Sequence, residues 1–139
     1  MEINLHYYHI MHFLYFASIY TKRQFMANFK LIYQKFLNLA NAVEELSEFP
    51  TLDPVEQKML ALLSKYWSGK QKITVVEAMH MTSEISTSTI FRYLKKLRQK
   101  GYIELVVDEL DNRVKYVSPT PMTDSYFSKM GKLLLKATS

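Results

Sequence analysis

The chain has 139 residues, of which 48% are apolar and 22% are charged, so it is long and hydrophobic enough for one folded domain and wholesale disorder is excluded. It has no cysteine, which excludes disulfides, thiolate metal sites and cysteine nucleophiles, and its 3 glycines cannot build a glycine-rich phosphate loop. Basic residues exceed acidic ones by 5, and the excess lies between residues 70 and 101, where there are 7 basic and 2 acidic side chains. Such clustering favours binding to an anionic polymer or surface.

The first segment, Ile3 to Tyr20, is rich in aromatic residues and predicts a helix that is buried or faces a second copy of the chain. Its histidines and the absence of a basic flank argue against a membrane span or a signal peptide. His6, His9 and His12 are spaced three apart, but no acidic residue lies between Glu2 and Glu44 to complete a metal site. We therefore expect packed or surface histidines and no bound metal ion.

A second helix is predicted to start at Thr21, which forms a capping-box pattern with Gln24, and to end near Ser47. Apolar residues then recur at alternating spacings of four and three, which is typical of a coiled-coil-like seam. This stripe could be core within the chain, but one small domain cannot cover so long an apolar face, so we expect a homodimer. The predicted dimerisation residues are Phe25, Phe29, Ile32, Phe36, Leu39 and Val43.

Two further helices carry the same start signal. Asp53, with proline next and glutamate three residues on, predicts a helix that ends at Gly69. Its predicted buried face consists of Val55, Met59, Leu62, Leu63 and Tyr66. Thr74, again with glutamate three residues on, predicts a short helix through about Met81.

A fourth helix is predicted between Ser86, its N-cap, and Gly101, where a left-handed residue ends it. Ile90, Leu94 and Leu97 form its apolar face, so its hydroxyl and basic side chains are turned outward.

After this helix the apolar period changes to about two, which predicts a hairpin with strands at 102–107 and 113–117 around a polar tip. Pro119 and Pro121 are expected to break the chain before a short final helix from Ser125 to Lys136. The order of helix, short helix, turn, basic helix and hairpin is that of a winged helix-turn-helix. The predicted fold is thus mainly α with a small β-hairpin wing and flanking N- and C-terminal dimerisation helices. Its expected regions are 1–49, 50–121 and 122–139.

In such a fold the basic helix enters the major groove of duplex DNA and the hairpin reaches the adjacent backbone or minor groove. The candidate DNA-binding residues are Thr74, Ser86, Thr87, Ser88, Phe91, Arg92, Lys95, Lys96, Arg98, Arg113 and Lys115. Arg92 is the best candidate to read guanine, whereas the lysines and Arg98 suit phosphates. Phe91 could touch a thymine methyl or fold back onto the core. Arg113 could contact DNA or pair with an aspartate of the hairpin.

These residues resemble a known family. Residues 86–92, Leu94, Leu97 and residues 100–103 resemble the recognition helix and exit of MarR-type winged-helix regulators, and 111–113 with Val117 and Thr120 resembles their wing signature. The similarity covers roughly residues 51–121, and its wing part is the more specific. The resemblance implies a homodimeric transcription regulator on a pseudo-palindromic operator, with interlocking terminal helices. It also implies a small phenolic or lipophilic anion in the cleft between the dimer helices and the DNA-binding lobe.

The expected partners are therefore double-stranded DNA, a second copy of the chain and, as a candidate, a small aromatic effector, with no cofactor and no membrane. An effector pocket could lie near Tyr7, Tyr8, Tyr33 or Trp67, although such aromatics are more often plain core. No catalytic constellation stands out, so we expect a cytoplasmic binding protein and not an enzyme. The alternative function is a winged-helix protein-interaction module of a replication or partition complex, whose basic face would serve an acidic partner.

Overall fold

The computed structural model describes the backbone of residues 5–45 and 48–139, and all side chains within them except those at 5–8, 25, 27 and 43–45. The elements in chain order are α1 (Leu5–Glu45), α2 (Pro54–Ser68), α3 (Val75–Met79), α4 (Thr87–Gln99), β1 (Ile103–Val107), β2 (Lys115–Pro119) and α5 (Pro121–Thr138). The predicted fold class, mainly α with a two-stranded hairpin, is confirmed. The chain divides into two units, one formed by residues up to 43 with 132–139, the other by residues 44–131.

In the first unit, α1 is one continuous helix of 41 residues, about 60 Å long at the usual rise per residue. The prediction that a new helix starts at Thr21 is wrong. The Thr21 hydroxyl donates to the carbonyl oxygens of Ala17 (2.8 Å) and Ser18 (3.0 Å), which is the bonding of a threonine inside a helix. No proline or glycine interrupts the preceding turns, so nothing ends the helix there. Among the described residues, no helix is long and apolar enough to cross a membrane.

The described side chains of residues 9–24 are all exposed within the single chain, so the aromatic segment is not buried there, and a face toward a second copy stays a prediction. Of the predicted dimerisation residues, Phe29 is exposed, and Ile32, Phe36 and Leu39 are half-buried. The side chains of Phe25 and Val43 lie outside the described residues. The dimer interface stays a prediction.

The second unit is built around one hydrophobic core shared by α2, α3, α4 and the hairpin. Its most deeply buried apolar residues are Met59, Leu60, Leu63, Ile73, Ala78, Ile90, Leu97, Tyr102, Ile103 and Val117. The hairpin is fixed to this core through its second strand. The Val117 amide donates to the Ile73 carbonyl (2.8 Å), and the Trp67 indole donates to the Val117 carbonyl (3.0 Å).

The N-caps predicted for α2, α3 and α4 are all confirmed, with a reciprocal capping box at Asp53 and at Thr74. The buried stripe of α2 is partly different from the predicted one. Leu60 is buried where Leu62 was predicted, and Glu56 is buried on the same stripe. Because Glu56 is charged, the apolar pattern does not mark it as buried. The face predicted from that pattern is therefore rotated about the helix axis relative to the observed one.

The hairpin differs from the prediction in its second strand, which begins at Lys115 rather than Arg113 and extends to Pro119. Ile103 pairs with Pro119 and Val107 with Lys115 in an antiparallel register. Residues 111–114 are held in a turn because the Val114 amide donates to the Asp111 carbonyl (2.9 Å). Arg113 therefore lies in the tip of the wing.

The final helix is longer than predicted, since α5 begins at Pro121 and spans 18 residues. Pro121 starts the helix instead of breaking the chain, because a first-turn residue needs no amide donor. The Thr120 hydroxyl accepts from the Thr123 amide (3.4 Å) and donates to the Gly101 carbonyl (2.6 Å). Thr120 thus caps α5 and ties it to the end of α4.

Candidate nucleic-acid interface

The two faces of α4 differ sharply in chemistry. Ile90, Leu94 and Leu97 are buried in the core, as predicted. The opposite face exposes Arg92, Lys95 and other polar side chains, and the helix contains no acidic residue. A helix with one apolar and one basic, hydroxyl-bearing face can be held by a core and still present donors to a polyanion.

The N-cap and first turn of α4 carry four consecutive hydroxyls. The Ser86 hydroxyl caps the helix by accepting from the Thr89 amide (3.3 Å) and donates to the Thr89 hydroxyl (2.8 Å). Thr87 and Ser88 follow on the exposed surface. Ser86 is thus mainly a cap, while Thr87 and Ser88 are available to phosphate or base edges.

The cations of α4 are not equally free. Lys96 lies 4.0 Å from an Asp53 carboxylate oxygen and its ammonium is 4.6 Å from the centroid of the Tyr93 ring. The Arg92 guanidinium is 5.7 Å from the same centroid, which orients it along the helix surface without neutralising it. Lys95 and Arg98 form no ion pair with any residue that the structure describes.

Lys100, which belongs to the basic segment, has a structural role. Its ammonium lies 2.6 Å from a Glu56 carboxylate oxygen and donates to the Thr51 carbonyl (2.6 Å). Glu56 is only 1% exposed, and the same oxygen accepts from the Asp53 amide (2.9 Å). The charge of Lys100 is therefore used to balance a buried carboxylate at the start of α2.

A groove of about 200 Å³ runs between α3, α4 and β1, with an apolar floor and a basic rim. Its lining residues are Val75, Phe91, Leu94, Lys95, Arg98 and Leu105, and it continues along the wing past Arg113 and Lys115. The Phe91 ring is 52% exposed at this groove, so it does not fold back into the core. Phe91 and the flanking cations form one continuous surface that is apolar in the middle and positive at its edges.

The wing tip is organised by two aspartates. One Asp108 carboxylate oxygen accepts from the amides of Leu110 (2.9 Å) and Asp111 (3.0 Å), and the other accepts from the Tyr116 hydroxyl (3.1 Å). Asp111 accepts from both the amide (3.0 Å) and the guanidinium Nε (3.1 Å) of Arg113. The ion pair expected for Arg113 within the hairpin is thus present, and the Arg113 side chain is still 91% exposed.

These hydrogen bonds shift the pKa values of the wing. The hydrogen bonds from the backbone amides of Leu110 and Asp111 hold the pKa of Asp108 below its ordinary value. The hydrogen bond from the Arg113 guanidinium does the same for the pKa of Asp111. The hydrogen bond to Asp108 raises the pKa of the Tyr116 hydroxyl. Both aspartates are therefore ionised at neutral pH and the tyrosine is neutral.

Other expected site residues have structural partners. The Thr74 hydroxyl is occupied by the α3 capping box with Glu77, and Thr74 also bridges to Tyr116 beside β2. Among the proposed effector aromatics, Trp67 is bonded to the hairpin, and Tyr33 is exposed on α1. Tyr7 and Tyr8 lie outside the described side chains.

Asp108 and Tyr116, which set the shape of the wing, are not among the residues predicted for the site. An aspartate at the end of a strand, with a polar tip after it, is the signal that indicates such a turn.

Solved structures align with most of the chain. The YusO protein from Bacillus subtilis covers 86% of this chain and 77% of its own, at 19% identity and a TM-score of 0.53. The heme sensor protein PefR from Streptococcus agalactiae, in complex with heme, covers 84% of this chain and 73% of its own, at 20% identity and a TM-score of 0.52. Both are MarR-family regulators.

The chain has the MarR-type winged-helix fold. At these identities the likeness establishes the fold alone. No protein-family model matches the chain, and no curated protein sequence matches it. In this fold, α4 takes the position of the second helix of the helix-turn-helix and the β1–β2 hairpin that of the wing.

Proposed function

We propose that the chain is a transcription regulator that binds double-stranded DNA as a homodimer on a pseudo-palindromic operator. The observation that carries the proposal is the exposed face of α4, which presents hydroxyls, Arg92, Lys95 and Arg98 and contains no carboxylate. A helix of this chemistry beside a hairpin matches the way winged helices approach duplex DNA.

Within this proposal each side chain has a specific role. Arg92 reads guanine through its two-pronged guanidinium, and Lys95 and Arg98 contact phosphates, which set the register. Phe91, half-exposed at the groove, contacts a thymine methyl. Arg113 contacts DNA from the wing while Asp111 holds its orientation. Ser86, Thr87, Ser88, Lys96, Lys115 and Thr74 complete the proposed set, with Ser86 and Thr74 acting mainly through the helices that they cap.

The operator is expected to have two half-sites. A two-fold dimer with one recognition helix per copy places the two α4 helices about 34–36 Å apart, one turn of duplex. We propose that the stripe of α1 containing Phe29, Ile32, Phe36 and Leu39 brings the copies together, with Phe25 and Val43 extending it.

Fluorescence anisotropy on a labelled duplex, titrated with salt, tests the DNA-binding proposal. The logarithm of the association constant should fall linearly with the logarithm of salt concentration, by about 0.9 per phosphate contact. Absence of binding at low salt, or binding that does not change between low and moderate salt, contradicts the proposal. Binding to an acidic protein in place of DNA would favour the interaction-module alternative.

A pair of variants tests the proposed contact between Arg92 of α4 and a guanine. Arg92→Ala should weaken binding to a selected operator by about 1–3 kcal/mol and relax sequence preference at one base pair. Lys65→Gln, an exposed substitution on α2, removes the same charge away from α4 and is the matched control. An equal loss for Arg92→Ala on every sequence would show that Arg92 contacts a phosphate.

The dimer is tested by light scattering. Phe29→Glu introduces a charge on the apolar stripe and should convert a dimer into monomers. Gln34→Glu adds the same charge to the opposite side of α1 and should leave the dimer intact. A wild-type chain that is monomeric at micromolar concentration would refute the dimeric form of the proposal.

The groove beside α4 supports a small aromatic anion as the effector. Its floor of Phe91 and Leu105 suits a ring, and Arg98 at its rim suits a carboxylate. Salicylate at 100 times its dissociation constant should stabilise the folded protein by about 2.7 kcal/mol. Because Phe91 and Arg98 would serve both ligands, bound salicylate should also weaken DNA binding. No thermal shift with a series of aromatic carboxylates would remove the effector from the proposal.

A further inference from the structure

Leu110, at the tip of the wing, is the most exposed large apolar residue of the part of the chain that the structure describes. It is 98% exposed. In residues 48–131, every other exposed large apolar side chain also lies on α3, α4 or β1, namely Val76, Phe91, Val106 and Val107. The apolar surface of this unit is thus confined to the elements that form the proposed DNA interface.

The backbone that carries Leu110 is held in place. The Leu110 amide donates to the Asp108 carboxylate (2.9 Å), and the Asp108 amide donates to the Val114 carbonyl (2.9 Å), which closes the tip from both sides. The Tyr116 hydroxyl anchors the same carboxylate to β2. Because the loop is already ordered, little conformational entropy remains to be lost when the side chain is covered.

Two of the three carboxylates beside Leu110 are engaged within the tip, and the third, Glu109, is exposed and has no ion pair among the described residues. The Asp111 carboxylate is paired with the Arg113 guanidinium, and Asp108 is surrounded by donors. An ordered, projecting apolar side chain beside a paired arginine is poorly suited to bind phosphate by charge. It is suited to enter a groove whose floor is formed by stacked bases.

We propose that Leu110 is a wedge residue that enters the minor groove and partly separates one base step next to the Arg113 contact. This proposal rests on the DNA-binding function proposed above and adds a residue that selects sequence through DNA deformation. Leucine side chains inserted in this way kink the duplex, and the energetic cost is smallest at flexible pyrimidine–purine steps. The wing would therefore favour TA or CA/TG steps without any hydrogen bond to a base.

The test uses duplexes that the wild-type protein selects from a random-sequence library. Each selected duplex is compared with a second one that differs only at the step under the wing, which hydroxyl-radical footprinting locates. The first duplex has TA at this step and the second has an A-tract. Leu110→Ala should weaken binding to the TA duplex by about tenfold, given the apolar area removed, and should reduce the bend measured by energy transfer between end labels. The same variant should lose most of the preference for TA over the A-tract.

Two further variants separate a wedge from other roles. Leu110→Met keeps an apolar side chain of similar size and should restore both affinity and bend. Asn112→Ala, which shortens an exposed, uncharged side chain of the same wing tip, is the matched control and should behave as wild type. Leu110→Ala should leave the slope against salt unchanged, whereas Arg113→Ala should reduce its magnitude by about two, because the dimer carries one Arg113 in each half-site.

Unchanged affinity and bend in Leu110→Ala, with wild-type protein binding normally, would overturn the wedge and leave the proposed function standing. Wild-type protein that selects no duplex would overturn the proposed function itself. Because Leu110 is exposed and its side chain supports no contact in the core, the thermal melting curve of each Leu110 variant should match that of the wild type, which verifies that the comparison is between folded proteins.

Discussion

Replacing Lys100 by methionine should destabilise the fold although Lys100 belongs to the basic segment that suggests nucleic-acid binding. The Lys100 ammonium is 2.6 Å from the Glu56 carboxylate, and Glu56 is 1% exposed. Methionine keeps the length of the side chain but removes the charge and the donors. The Glu56 carboxylate would then be left in the core with the Asp53 amide, 2.9 Å away, and no cation.

The expected cost follows from this geometry. Removing one partner of a fully buried pair costs about 3–5 kcal/mol, because an uncompensated charge stays in the interior. The Lys100 side chain is 34% exposed, so water can replace part of its hydrogen bonding and the cost is reduced to about 2–3 kcal/mol. For a chain of this length that corresponds to a fall of the melting temperature by roughly 6–12 °C.

Thermal and urea unfolding followed by circular dichroism, at one fixed protein concentration, measure this cost. Lys96→Met is the matched control, since its ammonium is 4.0 Å from an Asp53 oxygen and both side chains are substantially exposed. Exposed pairs contribute at most about 1 kcal/mol, so Lys96→Met should lose less than that. If Lys100→Met costs no more than Lys96→Met, the buried Glu56 carboxylate does not depend on its cation and the reasoning is refuted.

Three further outcomes are expected. Gly101→Ala should lower the free energy of unfolding by about 1–2 kcal/mol, because Gly101 has φ +83°. Gly131→Ala should raise it by up to about 1 kcal/mol, because Gly131 lies inside α5 and an added Cβ would meet nothing within 4 Å. Urea unfolding measures both changes. Thr120→Ala should cost about 1 kcal/mol in the same assay, because it removes the cap of α5, and Thr120→Ser should recover most of it. The pKa of Asp108 is lower in the folded chain than in the unfolded one. The stabilisation of the fold by this carboxylate is therefore complete above the unfolded pKa near 3.9 and is lost as the pH falls through the lower folded pKa. The protection factor of the Val114 amide, which compares its exchange with the intrinsic rate at the same pH, should therefore fall below about pH 4 in the wild type, and in Asp108→Asn it should be low already at pH 6.

The elements that the sequence predicts well are those whose signals are local. The caps at Asp53, Thr74 and Ser86 involve side chains and amides three residues apart, so the residue pattern contains the whole interaction. The apolar face of α4 was predicted correctly for the same reason, because no buried polar residue interrupts it. Gly101 was identified as the end of α4, and its positive φ agrees with that prediction.

The features that were missed depend on residues far apart in sequence. Glu56 is buried because of Lys100, 44 residues later, and nothing near Glu56 indicates this partner. Thr120 caps α5 while bonding to Gly101, 19 residues earlier, so Pro121 looks like a breaker until the end of α4 is placed beside it. The late start of the second strand is a local exception, because the Asp111 carboxylate accepts from the Arg113 amide two residues on and holds the backbone in a turn.

The distribution of charge in the folded chain changes what the excess of 5 positive charges implies. Lys100 balances Glu56 and Lys96 lies near Asp53, which leaves Arg92, Lys95 and Arg98 as the cations of α4 without an ion pair among the described residues. Each copy adds Arg113 of the wing to these three cations, so a dimer would release about eight counterions and the salt slope should be roughly −7, smaller in magnitude than all the basic residues of the segment would give. The remainder of the affinity must then come from terms that salt does not screen. Phe91 at the groove and Leu110 at the wing tip are the exposed apolar side chains placed to supply it.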